Sequence, residues 1–377
     1  MNMKILFWTE LFFPHIGGIE VFGAQFIKAL LRSGYTVEVV TSHSGALLPD
    51  IAEKERIRIH RFPFQKALAQ RDMKEIKQIA AKVIRLNEHF RPGIIHVNTI
   101  QPSLFFFYHT RSSYPVPFVL TLHQPPLSSS GDSSLLHNTM SSADWITAVS
   151  HNLLSEARHY APGIESKSSV IHNGLECPHT KPSRLSFKKP TILCIGRLIK
   201  DKGFDLAIDA LKNVLKYSPS ANLIIAGDGT ERKYLEKKAL NLGLSNAVRF
   251  TGWVPPEEVP DLMNKATFVV VPSRWEEPFC LVALQAAQMG RPVVASKTGG
   301  MPETVLDKKT GLLFEKENIK DLEEKILFVI QNPHASIRMG KTAKKRAETK
   351  FNMGRVVRQY DSLFKKLCPL EKTERTA

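Results

Sequence analysis

Short β-branched runs alternate with helix-length amphipathic segments along almost the whole chain, and the rhythm starts twice. In the first series, "MKILFWT" (3–9) precedes a helical pattern from about Gly18 to Arg32. Then come "YTVEVVTS", "IRIHRF", a basic helical pattern over 72–90, "GIIHVN" (93–98), "VPFVLTLH" (116–123) and "WITAVS" (145–150). The second series places strands at "TILCIG" (191–196), "ANLIIAG" (221–227), "AVRF" (247–250), "ATFVVVP" (266–272), "PVVAS" (292–296) and "GLLF" (311–314). Helices lie between them, and 318–367 is helical in pattern. Strands with almost no polar residue are buried on both faces, which requires helices on both sides of a parallel sheet. A chain of 377 residues exceeds one ordinary core. The α/β pattern therefore predicts two doubly wound domains. The Pro-, Ser- and Lys-rich stretch 181–190 reads as the linker between domains at 1–180 and 191–350. A last helix and polar tail occupy 351–377.

Composition narrows the function classes. Hydrophobic content of 43% and charged content of 23% suit a soluble globular protein. The longest apolar runs, such as "SLFFFY", fall short of a membrane span. Glu10 interrupts the apolar N-terminus, which reads as a first strand rather than a signal peptide. Cys177, Cys194, Cys280 and Cys368 show no Cys-x-x-Cys spacing, which argues against a zinc knuckle or disulfide framework and for the cytoplasm. The net charge of +16 asks for an anionic partner. Residues 1–180 hold 17 basic and 14 acidic side chains, against 35 and 22 beyond. No basic motif is interleaved with aromatics, so nucleic acid is not the expected partner. Phosphates on a small ligand, or an anionic membrane surface, fit the charge. The helix over 72–90 sets Lys74, Lys77, Lys82 and Arg85 against Ile76, Ile79, Val83 and Ile84. It either rests peripherally on the inner leaflet or packs on the sheet with a solvated basic face, and the second is the plainer reading.

Ligands of doubly wound sheets bind outside the carboxyl ends of the strands. After the first strand, Gly17 and Gly18 in "PHIGGIEVF" let backbone approach a ligand at a helix start, or simply make a tight turn. His123 closes one strand, and His96 and Asn98 another; His123 is the better candidate because Pro125 and Pro126 force a sharp turn after it. In "CIGRLIKDKGF", Gly196 ends a strand, and Arg197 and Lys202 precede a helix near Gly203. Two cations at a helix start would hold a diphosphate. Gly227-Asp228-Gly229 lacks the third glycine of a dinucleotide fingerprint and reads as a turn. "RFTGWVPPEEV" is a further strand-to-helix loop. Glu276 and Glu277 follow the buried strand "ATFVVVP", and "CLVALQAAQMG" is a helix closed by Gly290. At 100° per residue Glu277 and Gln285 lie nearly on one face. A carboxylate there accepts from sugar hydroxyls, and an amide pairs with a diol such as ribose. The free amides of Phe279, Cys280 and Leu281 add phosphate or hydroxyl contacts.

Taken together, "GGIE", the His123 segment, "IHNGLE" (171–176), "GRLIKDKG", "AGDGT" and "PSRWEEPFCLVALQAAQMGRPVVASKTGGMPETV" resemble the retaining glycosyltransferases of glycogen-synthase and mannosyltransferase type, family 4. The resemblance spans roughly residues 3 to 365. It implies the GT-B fold, with two Rossmann-like domains facing a cleft, and a UDP- or GDP-sugar held mainly by the second. Arg197 and Lys202 match the pair that holds the diphosphate. Glu277 matches the first glutamate of a Glu-x7-Glu motif, against donor sugar hydroxyls; Gln285 stands at the second, against the ribose. Gly17 and Gly18 match a loop near the diphosphate and acceptor, and His123 a histidine near the reacting sugar. The family retains anomeric configuration and needs no metal or other cofactor. Three positions depart from the pattern: Gln285 for glutamate, Cys280 for glycine and Gly93 for a frequent aspartate. Cys280 adds a side chain where backbone is expected near the sugar. The expected activity is hexosyl transfer to a hydroxyl of a glycan, lipid or small molecule. The rival readings are a non-catalytic nucleotide-sugar binder and a sugar-nucleotide epimerase; the missing fingerprint opposes an NAD dehydrogenase.

Overall fold

The computed structural model describes residues 3–43, 48–126 and 133–369. The chain divides into two units, Met1–His172 with Met353–Ala377, and Asn173–Asn352. Fourteen strands run in chain order among the described residues. In the first unit they are β1 (Lys4–Trp8), β2 (Thr36–Ser42), β3 (Ile51–Lys54), β4 (Ile57–Phe62), β5 (Ile94–Val97), β6 (Phe118–Leu122), β7 (Trp145–Ala148) and β8 (Ser168–Val170). Their order in the sheet is β3-β4-β2-β1-β5-β6-β7-β8, with only β3 antiparallel to its neighbour. The apolar N-terminus is the middle of this sheet: Ile5, Leu6, Phe7 and Trp8 are buried. Two strands went unseen in the sequence. Edge strand β3 is half-exposed and β8 has three residues, so neither carries the all-apolar signature of a strand covered on both faces.

Helix Gly18–Arg32 follows β1 and buries Phe22, Phe26, Ile27 and Leu30. Helix Met73–Phe90 begins at Asp72, whose carboxylate accepts from the amides of Lys74 and Glu75. Its Ile79, Val83, Leu86 and Phe90 are buried within the unit, while Lys74, Lys77, Lys82 and Arg85 are exposed. Most of the apolar stripe is therefore used in packing, and the outer face is mainly charged. The last helix, Met353–Leu367, returns to this unit and buries Val356, Val357, Tyr360, Leu363 and Phe364. The Tyr360 hydroxyl lies 3.0 Å from both Thr121 Oγ1 and Thr147 Oγ1, in the interior beneath β6 and β7. No described helix is long and apolar enough to cross a membrane.

The second unit holds β9 (Thr191–Ile195), β10 (Asn222–Ala226), β11 (Val248–Gly252), β12 (Phe268–Val271), β13 (Val293–Ser296) and β14 (Gly311–Phe314). All are parallel, in the order β11-β10-β9-β12-β13-β14. The order reverses between β9 and β12, so the connections leaving these two neighbours depart to opposite faces. That opens a crevice at their carboxyl ends, the usual ligand position in such sheets. In the first unit the reversal falls between β1 and β5.

The division falls at His172/Asn173 and Asn352/Met353, rather than at 181–190 and 350/351. The polar residues that read as a linker are fastened to the second unit. The Ser183 amide donates to Asn264 Oδ1 (2.9 Å), and Thr267 Oγ1 donates to the Ser186 carbonyl (2.6 Å). Fully buried Arg291 donates to the Ser183 carbonyl (2.9 Å) and hydroxyl (2.6 Å); burial pulls its guanidinium down to about 10.

Removing the Tyr360 hydroxyl should cost about 1 kcal/mol in Tyr360→Phe. Removing the ring as well, in Tyr360→Ala, should cost about 3 to 5 kcal/mol. Calorimetric unfolding of both variants checks the pair; unchanged stability in Tyr360→Ala would contradict the docking of the last helix.

Candidate active site

The crevice of the second unit is built from two loops. After β9 the chain passes through Gly196 and Arg197 into a tight turn, Lys200–Lys202, and enters helix Phe204–Tyr217 through Gly203. Gly203 has φ +64, and a Cβ on it would collide with the Pro272 carbonyl at the end of β12. Glycine is thus what allows the two loops to meet. After β12 the chain runs from Pro272 to Glu277 and enters helix Leu281–Gln288 through Cys280.

These loops bring Lys202 and Glu277 together. Lys202 Nζ lies 2.5 Å from Glu277 Oε1, and Ser273 Oγ donates to the same oxygen at 2.7 Å. Glu277 is buried and Lys202 half-buried, so the pair is a charge-assisted contact little diluted by solvent. Among the described residues Oε2 of Glu277 carries no hydrogen bond, which leaves it as an acceptor for a ligand hydroxyl. Glu276 faces elsewhere. It pairs with Lys316 (2.8 Å) and accepts from the Gly299 amide (2.8 Å), and the Lys316 ammonium holds its carboxyl below the ordinary range. Adjacent glutamates thus do different work: one faces the crevice and one fastens the loop that follows β13.

Arg197 is exposed and has no side-chain hydrogen bond or ion pair among the described residues. Phe279 is buried against Phe351, with ring centroids 5.6 Å apart. Gln285 is half-buried, in the second turn of its helix. Cys280 is buried at the start of this helix. Its thiol is buried in the core with Ala283, Ala286 and Val271, and Sγ caps the helix by accepting from the Ala283 amide at 3.4 Å. Burial pushes the thiol up to about 12. The helix begins at Leu281, directly after this cap.

In the first unit Gly17 precedes helix Gly18–Arg32 with extended backbone, and a Cβ there would strike the Glu20 carboxylate. His123 follows β6 and is half-buried against Phe22. Its Nε2 lies 2.7 Å from Asn98 Oδ1. An amide oxygen only accepts, so Nε2 donates and Nδ1 is left as an acceptor. His96 proves to be core. It is fully buried among Phe7, Phe26, Tyr360 and Phe364, with Nε2 bonded to Thr121 Oγ1 at 2.7 Å.

Sequence reasoning missed four polar side chains: Ser273, Arg274, its partner Asp205, and Glu10. Ser273 shares Oε1 of Glu277 with Lys202. Arg274 grips Asp205 with two bonds, of 2.7 and 2.9 Å. Buried Glu10 accepts from Ser42 Oγ (2.7 Å), Gln65 Nε2 (2.8 Å) and the Ser103 amide (3.0 Å), tying three segments around the end of β1. Only Ser273 and Arg274 had a signal, since they stand between the apolar strand and the glutamates.

Burial lowers His123 to about 4 and His96 to about 3, from an ordinary value near 6.5. Both are neutral at pH 7 in the folded chain. Between about pH 6.5 and 4 the unfolded chain binds protons that the folded one refuses. The contribution is whole above about 6.5 and is lost as acid is added. Urea midpoints measured downward from pH 7.5 to 4.5 should fall in that window, and the His123 ring resonances should not titrate above about pH 5. A flat midpoint, or a His123 titration near 6.5, would contradict the assignment.

Comparison with known proteins places the chain among related folds and sequences. Residues 16–179 match the model for Glycosyltransferase Family 4, and residues 179–346 that for Glycosyl transferases group 1. The glycogen synthase of Mycobacterium tuberculosis is 28% identical over 294 residues, which cover 72% of this chain and 68% of that one. Sucrose-phosphate synthase from Thermosynechococcus elongatus superposes with a TM-score of 0.84 at 21% identity, over 97% of this chain and 99% of that one. Anabaena HepE in complex with UDP does so with a TM-score of 0.81 at 25% identity, over 97% and 100%. With two consecutive family matches running from residue 16 to 346 on a GT-B fold, the chain belongs to the family 4 glycosyltransferases, enzymes that transfer glycosyl groups.

Proposed function

We propose that the chain transfers a sugar from a nucleoside-diphosphate sugar to a hydroxyl acceptor, with retention of anomeric configuration and without a divalent metal. The observation that carries the reading is the Lys202–Glu277 pair at the reversal of the second sheet, with Oε2 of Glu277 free of hydrogen bonds among the described residues and Arg197 exposed on the loop that bears Lys202. In this reading Arg197 and Lys202 bind the diphosphate, helped by the backbone amides around Phe279, Cys280 and Leu281. Glu277 accepts from donor sugar hydroxyls, and the Gln285 amide pairs with the ribose diol. HepE, crystallised with UDP, supports a uridine donor, and a guanosine one remains the second choice. Gly17, Gly18 and His123 serve the reacting sugar and the acceptor.

The reaction follows from where charge develops. The acceptor oxygen attacks the anomeric carbon on the face from which the diphosphate leaves. The bond to the diphosphate oxygen breaks, and that oxygen takes the acceptor proton. Arg197 and Lys202 stabilise the negative charge as it grows, the task a divalent ion performs elsewhere. The acceptor is a glycan, lipid or small molecule. The place proposed for the enzyme is the cytoplasm, where exposed Lys74, Lys77, Lys82 and Arg85 would meet an anionic inner leaflet through charge alone.

Incubation with UDP-glucose, GDP-mannose and related donors in EDTA should release nucleoside diphosphate from at least one of them. Arg197→Ala should lower kcat by about a hundredfold while changing the donor dissociation constant far less. Loss of turnover in EDTA would contradict metal independence. Equal losses in binding and turnover would favour a nucleotide-sugar binder.

A further inference from the structure

Arg274 stands one residue after Ser273 and three before Glu277, yet its charge does not face a ligand. Its guanidinium is about one-fifth exposed. Nη1 donates to Asp205 Oδ1 at 2.7 Å and to the Lys200 carbonyl at 3.1 Å, and Nη2 donates to Asp205 Oδ2 at 2.9 Å. Nε donates to Glu317 Oε1 at 2.9 Å. The backbone repeats the connection, because the amides of Arg274 and Trp275 both point to the Asp201 carbonyl, at 2.8 and 3.2 Å. Every one of these contacts except that to Glu317 runs between the loop bearing Glu277 and the segment bearing Lys202. Burial alone would raise the Asp205 carboxyl; the guanidinium overrides it and holds Asp205 below the ordinary range.

Resting on the donor-site reading above, we infer that Arg274 is a positioning residue, whose two-pronged grip on Asp205 fixes the spacing between Lys202 and Glu277 before any donor arrives. The physical need is plain. Lys202 sits in a single tight turn at the end of a flexible four-carbon stem, 2.5 Å from a carboxylate. When a diphosphate enters, the ammonium must serve both it and Glu277. Loops free to slide would let the ammonium swing off Glu277 with the diphosphate, and loops free to part would lose the carboxylate from the sugar. A planar fork bound to both carboxylate oxygens resists either movement, whereas a lysine, a point donor, does not. Arg274 is also unsuited to be a third diphosphate ligand, since Asp205 and Glu317 already meet its charge.

The test is a double-mutant cycle on the full chain, with whichever of UDP-glucose and GDP-mannose it hydrolyses faster. Arg274→Lys, which keeps the charge and loses the fork, should lower kcat/KM by about a hundredfold, the scale of a misplacement of about 1 Å. Added to Glu277→Gln, where no pair is left to align, the same change should cost less than about threefold. Asp205→Asn should give the same pattern, and it replaces Arg274→Lys should that variant fail to fold. Losses that multiply in the Glu277→Gln background would mark a merely structural brace and overturn the inference. A slow Glu277→Gln beside a fully active Arg274→Lys overturns it alone. A fully active Glu277→Gln overturns the donor-site reading, and this inference with it.

Discussion

One ion pair organises the second half of this enzyme. Lys202 and Glu277 meet where the strand order reverses, and their segments come from the two strands whose connections part there. A buried carboxylate is costly unless it is paired and hydrogen-bonded. Here one oxygen meets both conditions through Lys202 and Ser273, and the other is left for a hydroxyl. The pair therefore holds the Glu277 carboxylate in place between the two loops.

The close approach of the loops depends on features that look unrelated in sequence. Gly203 admits the Pro272 carbonyl, and Gly227 admits the Gly196 carbonyl, where any Cβ would collide. Glu276 and Lys316 secure the following loop through the Gly299 amide. The helix after Glu277 begins with a sulfur cap rather than a hydroxyl, and the Cys280 side chain is buried in the core cluster. At the position that departs from the family pattern, the added thiol thus acts as a local helix cap.

Much of this was legible in the sequence, for a physical reason. Strands buried on both faces must be apolar throughout, so the six strands of the second sheet stood out, whereas β3 and β8 at the edges of the first did not. Arg197, Lys202, Glu277 and Gln285 could be chosen because each follows or flanks such a strand. The two histidines differ in burial, which the sequence did not show: His96 belongs to the aromatic core, and His123 is half-buried just after β6. Long-range pairing was not legible. Arg274 meets Asp205 across 69 positions, and Lys202 meets Glu277 across 75. Nothing local announces such partners. The polar stretch 181–190 misled for the same reason, since Asn264 and Arg291, which hold it, lie far along the chain.

A structure of the enzyme with an intact nucleotide-sugar, grown in EDTA, would test the central claim most directly. The account predicts diphosphate oxygens within about 3 Å of both Arg197 and Lys202, and a sugar hydroxyl donating to Oε2 of Glu277. A diphosphate lying away from both cations, with Glu277 still sealed against Lys202 and Ser273 alone, would contradict it.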